Sequence, residues 1–350
     1  MRRLSLIRTA ATSRGGWIVL EYLREFGCLT VLLTVALGVL QRLTPQTPKP
    51  DAVALAAQHP VYALGLVDEG RKLWLNRHRE GLVLVDLESQ AELSSICFRD
   101  SQLVDADVST SSPMLLSVTS AQGRLRFVRG DEFGHETELP KTDGLLGDVH
   151  VQADGNAVVG VTNGGVIATW TWNGAGFDLR RDRVEGALSL AELSVDGRWA
   201  ACIADNEDVL IFDRKNGRES ARWRAHNAHC STMAFTADGQ RLATGGSDGM
   251  VRVWDRSSGK LVWEANADVL GPSALNFSAD GRRLASGGFD KAVRVWNAAD
   301  GHLQTTLAAH SGPVRALAFH PDGNRLYSGG LDGELFEWSL AAQAVLRSFR

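Results

Sequence analysis

The chain contains the segment Gly245-Gly-Ser-Asp-Gly-Met-Val-Arg-Val-Trp-Asp255, and related segments follow at 287–297 and 329–339. In each one, a Gly-Gly-x-Asp turn leads into alternating residues that reach a tryptophan six positions after the aspartate. Such a pattern predicts a tight turn followed by a short strand.

Two series of apolar residues extend this repeat backwards through the chain. The first series consists of Leu66, Val108, Val151, Leu193, Phe235, Phe277 and Phe319. The second consists of Val85, Phe127, Trp170, Phe212, Trp254, Trp296 and Trp338. Both series advance by 42 residues, apart from one step of 43 in each. Because the two series stay in phase, they predict seven repeat units within residues 59–350.

Each unit offers four strand candidates and no helix. In the fifth unit the candidates lie near 232–235, 242–245, 250–255 and 261–265. The predicted fold class is therefore all-β, a seven-bladed β-propeller of four-stranded antiparallel blades. With 44% hydrophobic residues, the chain can bury a large core.

Residues 59–350 resemble the WD-repeat β-propeller family, which is named for the Trp-Asp pair present here as Trp254-Asp255. The later units carry the variants Trp296-Asn297 and Trp338-Ser339. The family's Gly-His pair is replaced by Ala225-His226 and Ala309-His310. The resemblance implies a non-catalytic scaffold that binds other proteins.

The resemblance also implies a chain of hydrogen bonds inside each blade, from a histidine through a Ser/Thr hydroxyl to a tryptophan, with the turn aspartate beside the histidine. The matching residues are His226, Thr244, Asp248, Trp254, Ser286, Asp290, Trp296, His310, Ser328, Asp332 and Trp338. Asp268 occupies the histidine position of the sixth unit. We interpret the set as structural, because a Ser-His-Asp catalytic triad occurs once and needs an exposed nucleophile with an oxyanion hole.

The segment His226-Asn-Ala-His229-Cys230 contains residue types that bind metals. However, His226 already belongs to the hydrogen-bond chain, and adjacent residues on a strand point to opposite faces. The four cysteines form neither a disulfide framework nor a CxxC pair. We therefore expect no catalytic residue, no metal and no cofactor.

One end of the propeller is the predicted partner-binding rim. The histidine loop and the turn aspartate of a blade must meet, so the loops 227–229, 269–272 and 311–313 gather at that end. The candidate rim residues are Ser247, Phe289, Leu331, Arg315 and His229. Phe289 and Leu331 are expected to be exposed apolar contacts, and the alternative is that they only cover neighbouring blades.

The N-terminal region differs in character from the repeats. Residues 1–25 are basic, residues 26–43 are the predicted transmembrane helix, and residues 44–58 form a Pro-rich spacer. The alternatives for this region are an interfacial amphipathic helix, a cleaved signal peptide and an organellar presequence. The basic excess before the span favours a single-pass protein with a cytoplasmic N-terminus and an exported propeller. A propeller on the cytoplasmic side is the alternative.

Charge excludes one class of partner. The net charge is −4, which divides into +5 for residues 1–50 and −9 for the rest. Nucleic acid is therefore not expected as a partner, because binding its backbone requires clustered Lys and Arg. The sequence predicts a membrane-tethered scaffold for protein partners. The alternatives are a propeller that binds a small ligand or substrate in its central channel, as sensor or enzyme, and a stalk domain without a rim site.

Ring closure has two possible solutions in the sequence. Residues 344–349 are able to supply the outer strand of the last blade, and residues 51–58 resemble the strand that precedes a unit's histidine. If residues 51–58 close the ring, removal of the C-terminus is expected to be tolerated. If residues 344–349 close it, the same removal is expected to destabilise the fold.

Overall fold

The computed structural model describes residues 60–349, except for short gaps at 78–80, 97–102, 109–113, 120–123, 130–134, 139–145, 153–154, 175 and 205–206. The described residues form strands, turns and one 3-10 turn, Asp68–Gly70, with no α-helix among them. All of them belong to the unit Leu55–Arg350.

The strands form seven sheets, each made of four strands that are consecutive in the chain and antiparallel. The first two sheets are β1 (Val61–Val67), β2 (Lys72–Arg77), β3 (Gly81–Asp86), β4 (Glu92–Ile96) and β5 (Leu103–Val108), β6 (Met114–Thr119), β7 (Arg124–Arg129), β8 (His135–Glu138). The third and fourth are β9 (Leu146–Val151), β10 (Ala157–Thr162), β11 (Val166–Trp172), β12 (Phe177–Arg183) and β13 (Leu188–Leu193), β14 (Trp199–Ala204), β15 (Asp208–Asp213), β16 (Arg218–Arg224).

The last three sheets correspond to the clearest sequence repeats. They are β17 (Cys230–Phe235), β18 (Arg241–Gly246), β19 (Met250–Asp255), β20 (Leu261–Asn266); β21 (Pro272–Phe277), β22 (Arg283–Gly288), β23 (Ala292–Asn297), β24 (Leu303–Ala308); and β25 (Val314–Phe319), β26 (Arg325–Gly330), β27 (Leu335–Ser339), β28 (Ala344–Phe349). The first strand of each sheet contacts the first strand of the next, and β25 contacts β1, so the sheets follow one another around a ring.

Local sequence explains these strands. In β19, Val251 and Val253 are buried while Arg252 between them is partly exposed, which is the alternation of a strand with one face in a core. The turn before β19 contains Gly249, whose φ of +85° suits glycine. A Cβ at this position would also lie 2.6 Å from the carbonyl oxygen of Asp268, so backbone approaches backbone here.

The core consists mainly of clusters between neighbouring sheets. Five clusters join the third sheet to the fourth, the fourth to the fifth, the fifth to the sixth, the sixth to the seventh and the seventh to the first. A sixth cluster, which includes Leu146 and Trp170, lies on the other face of the third sheet. The repeated apolar positions of the sequence therefore pack one sheet against the next.

The predicted seven-bladed β-propeller needs a correction. The side chains of the second sheet lie outside those that the structure describes, so a packed interior is described for six blades and the second sheet is described by its backbone. The sequence of that unit also departs from the apolar pattern, because Arg124 and Arg126 stand where the fifth unit has Val251 and Val253.

The structure does not describe the residues of the predicted membrane helix, so it gives that helix no support. Among the described residues, no helix is long and apolar enough to cross a bilayer. The predicted span 26–43 lies outside the described residues, as do the basic segment 1–25 and the spacer 44–58. The fold that the structure supports is an all-β propeller with four-stranded antiparallel blades.

At the junction of the seventh and first sheets, the C-terminal strand β28 is the outer strand beside β27. Arg347 of β28 donates to the carbonyl oxygen of Leu87 in the first unit at 2.7 Å and pairs with the buried Glu337 at 3.1 Å. Residues 51–58, the alternative closing segment, lie outside the described residues.

Candidate functional site

The two ends of the propeller carry different connections. One end holds the loops before each first strand and those between second and third strands. His226 and His310 lie in two of these loops, so we call this end the histidine end. We call the other the turn end, because it holds the turns between first and second strands and those between third and fourth strands. Because neighbouring strands are antiparallel, the two kinds of connection lie at opposite ends of the strands in every sheet.

The fifth sheet brings together its four predicted network residues. Nε2 of His226 lies 2.8 Å from the Thr244 hydroxyl, and Nδ1 lies 2.9 Å from Oδ1 of Asp248. The Trp254 indole N–H donates to the same hydroxyl at 2.9 Å. Arg252 donates to the other carboxylate oxygen of Asp248 at 2.6 Å. Every polar group of this network therefore has a partner.

The seventh sheet repeats the arrangement with a more deeply enclosed carboxylate. His310 lies 2.8 Å from the Ser328 hydroxyl and 3.0 Å from Oδ2 of Asp332, and Trp338 donates to Ser328 at 2.7 Å. The Asp332 side chain is only 5% exposed. Its carboxylate accepts hydrogen bonds from the backbone N–H groups of residues 311, 312 and 334.

The carboxylates fix the direction of these hydrogen bonds. The nitrogen that faces Asp332 must carry a proton, so Nε2 of His310 accepts from Ser328 and the Ser328 oxygen accepts from Trp338. In the fifth sheet, burial lowers the pKa of His226, so this histidine is neutral near pH 7. Burial alone would raise the pKa of Asp248, but the hydrogen bond from Arg252 and the nearby His226 lower it overall. This carboxyl is therefore ionised.

The sixth sheet keeps only part of the network. Trp296 donates to the Ser286 hydroxyl at 2.9 Å, and Asp268 stands in place of the histidine. The two oxygens of Asp268 accept from the backbone N–H groups of Leu270 at 2.9 Å and Asp290 at 2.8 Å. The predicted network member Asp290 instead pairs with Arg294 at 2.6 Å.

The hydroxyls of these networks are poorly placed for nucleophilic catalysis. Thr244 and Ser328 are fully buried, and Ser286 is almost so. Each hydroxyl oxygen also accepts a tryptophan N–H, which leaves little room for an approaching substrate. A nucleophile has to reach its substrate. This geometry supports the structural interpretation of the Ser/Thr-His-Asp sets.

The candidate rim residues lie at the histidine end, with contacts of different kinds. Ser247 is exposed and its backbone N–H donates to the carbonyl oxygen of His229. His229 lies 3.1 Å from Glu207 of the fourth unit, so its ring links two blades. Phe289 and Leu331 are half-buried and not the exposed side chains that the sequence analysis expected.

Arg315 lies on the inner strand β25, at a register irregularity between Val314 and Ala316. Similar irregularities occur at the same place in the fifth and sixth sheets, where the extra residues are Ser231 and Ser273. Both serine hydroxyls donate to a carbonyl of the next inner strand, at 2.6 Å each. A bulge at this position redirects a side chain towards the neighbouring blade.

Among the residues that the structure describes, Val269 and Leu270 are the large exposed apolar side chains of the histidine end. In the sequence they belonged to a predicted loop but were not singled out. Val269 is 87% exposed and Leu270 is 59% exposed. The available signal was the pair of adjacent apolar residues directly after Asp268, in a loop where the fifth unit has Asn227 and Ala228.

A charged cluster that was not predicted from the sequence lies on the inner strands of the third and fourth sheets. His150 lies 2.6 Å from the carbonyl oxygen of Ala191, and Asp148 accepts from the backbone N–H of the same residue at 2.7 Å. Glu192 approaches His150 at 3.6 Å. The first two contacts tie β9 to β13. Among the residues that the structure describes, no group of His, Cys, Asp and Glu is arranged to hold a metal ion.

The cysteine of the suspected metal segment is enclosed. Burial raises the pKa of the Cys230 thiol to about 12, and Cys202 is affected in the same way. Reactive thiols have a lowered pKa and solvent access. These two thiols therefore have the properties of packing residues.

Comparison with protein families identifies the last three units. The family model "WD domain, G-beta repeat" matches residues 217–255, 262–297 and 301–339. The propeller contains three WD repeats. Each match begins with the outer strand of one sheet and ends with the third strand of the next, so together the three matches cover the first three strands of the fifth, sixth and seventh sheets. They support the predicted WD-repeat propeller in this part of the chain. Comparison with curated proteins gave no match.

Proposed function

We propose that this WD-repeat propeller is a non-catalytic scaffold that binds a protein partner through its histidine end. WD-repeat propellers generally serve as protein-interaction scaffolds. The observation that carries the proposal is the exposure of Val269 and Leu270, two adjacent apolar side chains surrounded by polar groups. Adjacent exposed apolar side chains of this kind favour a protein contact.

The loop that presents these two residues is held in one conformation. Asp268 is buried, and its carboxylate binds the backbone N–H groups on both sides of the loop opening. The backbone of Asp268 is hydrogen-bonded to Gly249 of the fifth unit and to Gly271. A loop ordered before binding loses less conformational entropy when a partner binds.

Charged pairs occur on the same end of the fifth sheet. Arg252 bridges Asp248 at 2.6 Å and Glu264 at 2.8 Å, and His229 pairs with Glu207. An apolar centre with a polar border is the usual composition of a protein interface. The proposed binding surface consists of Val269 and Leu270 with these polar neighbours, together with the candidate residues Ser247, Phe289, Leu331 and Arg315.

Replacing both Val269 and Leu270 by serine is expected to reduce partner recovery at least about tenfold, because interface anchors contribute about 1–2 kcal/mol each. Partners crosslinked to the tagged full chain in its native cells are quantified by mass spectrometry. The control variant replaces Leu303 and Leu346 by serine, since these are 46% and 51% exposed on outer strands. Equal recovery by both variants, with intact folds, would favour a stalk domain without a rim site.

The central channel offers a second candidate function, a sensor or enzyme that binds a small ligand. The cluster of Asp148, His150 and Glu192 is the observation in its favour. However, Asp148 and His150 already bind the backbone of Ala191. This engagement gives the channel proposal less support than the rim proposal.

We further propose that residues 26–43 tether the propeller to a membrane. The support is the fifteen-residue uncharged run from Phe26 to Leu40 and the basic residues before it. The full chain is expected to remain with membranes after an alkaline wash, and protease added outside intact cells is expected to digest the propeller. Extraction by the wash would contradict the tether, and protection from external protease would contradict the export.

A further inference from the structure

A groove of about 620 Å³ opens at the turn end between the fifth and sixth sheets. Its charged lining consists of Arg241, Arg282 and Arg283 with Asp238 and Asp280, and the amide of Gln304 lies at its edge. The groove lies on the end of the propeller opposite Val269 and Leu270, so it is independent of the proposed rim surface.

The repeat explains why the groove exists at this junction. Between the fourth and fifth sheets, the corresponding space is filled by Arg256, which is only 7% exposed. Its guanidinium carbon lies 3.8 Å from the centre of the Trp199 ring, and its Nε donates to the carbonyl oxygen of Gly239 at 2.7 Å. One repeat of 42 residues further along the chain, Ala298 takes the place of Arg256 and Arg241 takes the place of Trp199. A short side chain therefore leaves the equivalent space open.

The next junction shows an intermediate case. Between the sixth and seventh sheets, Leu340 occupies the position of Arg256, and the remaining space is about 120 Å³. Arg283 contributes to the lining of both spaces. The space is about 620 Å³ at the junction where this position is Ala298 and about 120 Å³ at the junction where it is Leu340.

The three arginines of the groove retain unused hydrogen-bond donors. Arg241 donates from Nη1 to the carbonyl oxygen of Ala298 at 2.9 Å, and Arg283 donates from Nη1 to that of Gly323. The Arg282 residue is exposed. Within the described part of the chain, no ion pair joins any of the three to a carboxylate. A guanidinium has five N–H donors, so most of them remain available.

The two aspartates are engaged in their own turns. Asp238 accepts from the Thr236 hydroxyl at 2.6 Å and from the backbone N–H of Gln240 at 3.0 Å. Asp280 accepts in the same way from Ser278 and from the backbone N–H of Arg282. Three guanidiniums and two carboxylates give the groove a formal charge of +1, in a body that is otherwise acidic.

We propose that this groove binds the carboxylate side chains of a short acidic segment of a partner protein. Guanidinium groups bind carboxylates through paired N–H donors, and such bonds are among the stronger ones in proteins. The groove is larger than a single small anion needs, and Gln304 offers an amide to the peptide backbone. The overall acidity of residues 51–350 disfavours a polyanion such as nucleic acid, because binding of a long phosphate backbone requires an extended basic surface.

Binding is tested with the full chain and a fluorescein-labelled tri-glutamate peptide, followed by fluorescence anisotropy. Saturable binding is expected, with little binding of the tri-glutamine peptide. Arg282→Glu is expected to weaken the affinity at least about tenfold, because it removes one donor fork and adds a repelling charge. Ala279→Trp, at an exposed position of the lining, is expected to have a similar effect without a change of charge.

Arg218→Glu is the matched control, because it makes the same charge change at an exposed position of β16 outside the groove. The affinity of this variant for the tri-glutamate peptide is expected to stay within about twofold of that of the unmodified chain. The proposal is overturned if Arg282→Glu and Ala279→Trp bind as well as Arg218→Glu, or if both peptides bind equally. Displacement by inorganic phosphate as readily as by unlabelled tri-glutamate would also overturn it, in favour of a simple anion site. The Val269/Leu270 serine variant separates the two proposals, since its tri-glutamate affinity is expected to be unchanged.

Discussion

Replacement of Asp332 by alanine is expected to lower the free energy of unfolding by about 3–4 kcal/mol, measured by urea denaturation at pH 7. The carboxylate is nearly inaccessible to solvent and accepts from His310 and from three backbone N–H groups. Its removal leaves those donors without partners, and each buried unsatisfied donor costs about 1–3 kcal/mol. Because a domain of this kind is stable by only about 5–15 kcal/mol, the change is a large fraction of the total.

The effect of this substitution depends on pH in a defined direction. Burial alone would raise the pKa of Asp332, but the hydrogen bonds from His310 and from the backbone N–H groups lower it below the ordinary value of 3.8. A carboxyl with a lowered pKa in the folded state stabilises the fold above its unfolded pKa, and this stabilisation is lost as the pH falls through the folded pKa. The difference between the original protein and Asp332→Ala is therefore expected to be constant above about pH 5 and to shrink below pH 4.

Asp290→Ala provides the matched control at the equivalent position of the sixth sheet. Asp290 pairs with Arg294 near the surface and makes no histidine contact, because Asp268 replaces the histidine there. The expected loss is no more than about 1 kcal/mol, as for other partly exposed ion pairs. Equal losses at the two positions would show that the seventh-sheet network does not provide the extra stability.

The periodic part of the sequence predicted the strands and the hydrogen-bond partners well. A tryptophan six residues after an aspartate fixes the third strand of a unit. Pairing between the second and third strands, β18 and β19 in the fifth unit, then brings Thr244 close to Trp254. These contacts are local in the chain, so each repeat predicts them by itself. The networks of the fifth, sixth and seventh sheets are not equivalent, however, because Asp268 makes different contacts from His226.

Features that depend on the relation between repeats were predicted less well. The exposure of Val269 and Leu270 depends on the backbone path of their loop, which hydrogen bonds from Asp268 determine. The half-burial of Phe289 and Leu331 depends on packing around them. The turn-end groove depends on the contrast between Arg256 and Ala298, which has meaning only when the junctions are compared in three dimensions.

Deletion of residues 344–350 is expected to lower the free energy of unfolding by more than about 4 kcal/mol. The deletion removes β28 and its backbone hydrogen bonds to β27, each of which contributes about 1 kcal/mol. It also removes Arg347, which pairs with the almost fully buried Glu337 and donates to Leu87 of the first unit. Loss of one partner of a buried charge is strongly destabilising. Calorimetry or urea denaturation of the full chain with and without these residues measures the effect.

Two variants divide this loss between the strand and the ion pair. Arg347→Met keeps β28 but leaves Glu337 with Arg325 as its ion-pair partner, so an intermediate loss of about 2 kcal/mol is expected. Val345→Ser with Leu346→Ser changes two exposed side chains of the same strand, and a loss below about 1 kcal/mol is expected. If the deletion leaves stability unchanged, another segment must occupy the edge beside β27, and residues 51–58 are the segment whose sequence suits that position. A large loss on deletion would instead show that contacts of the C-terminal strand hold the seventh and first sheets together.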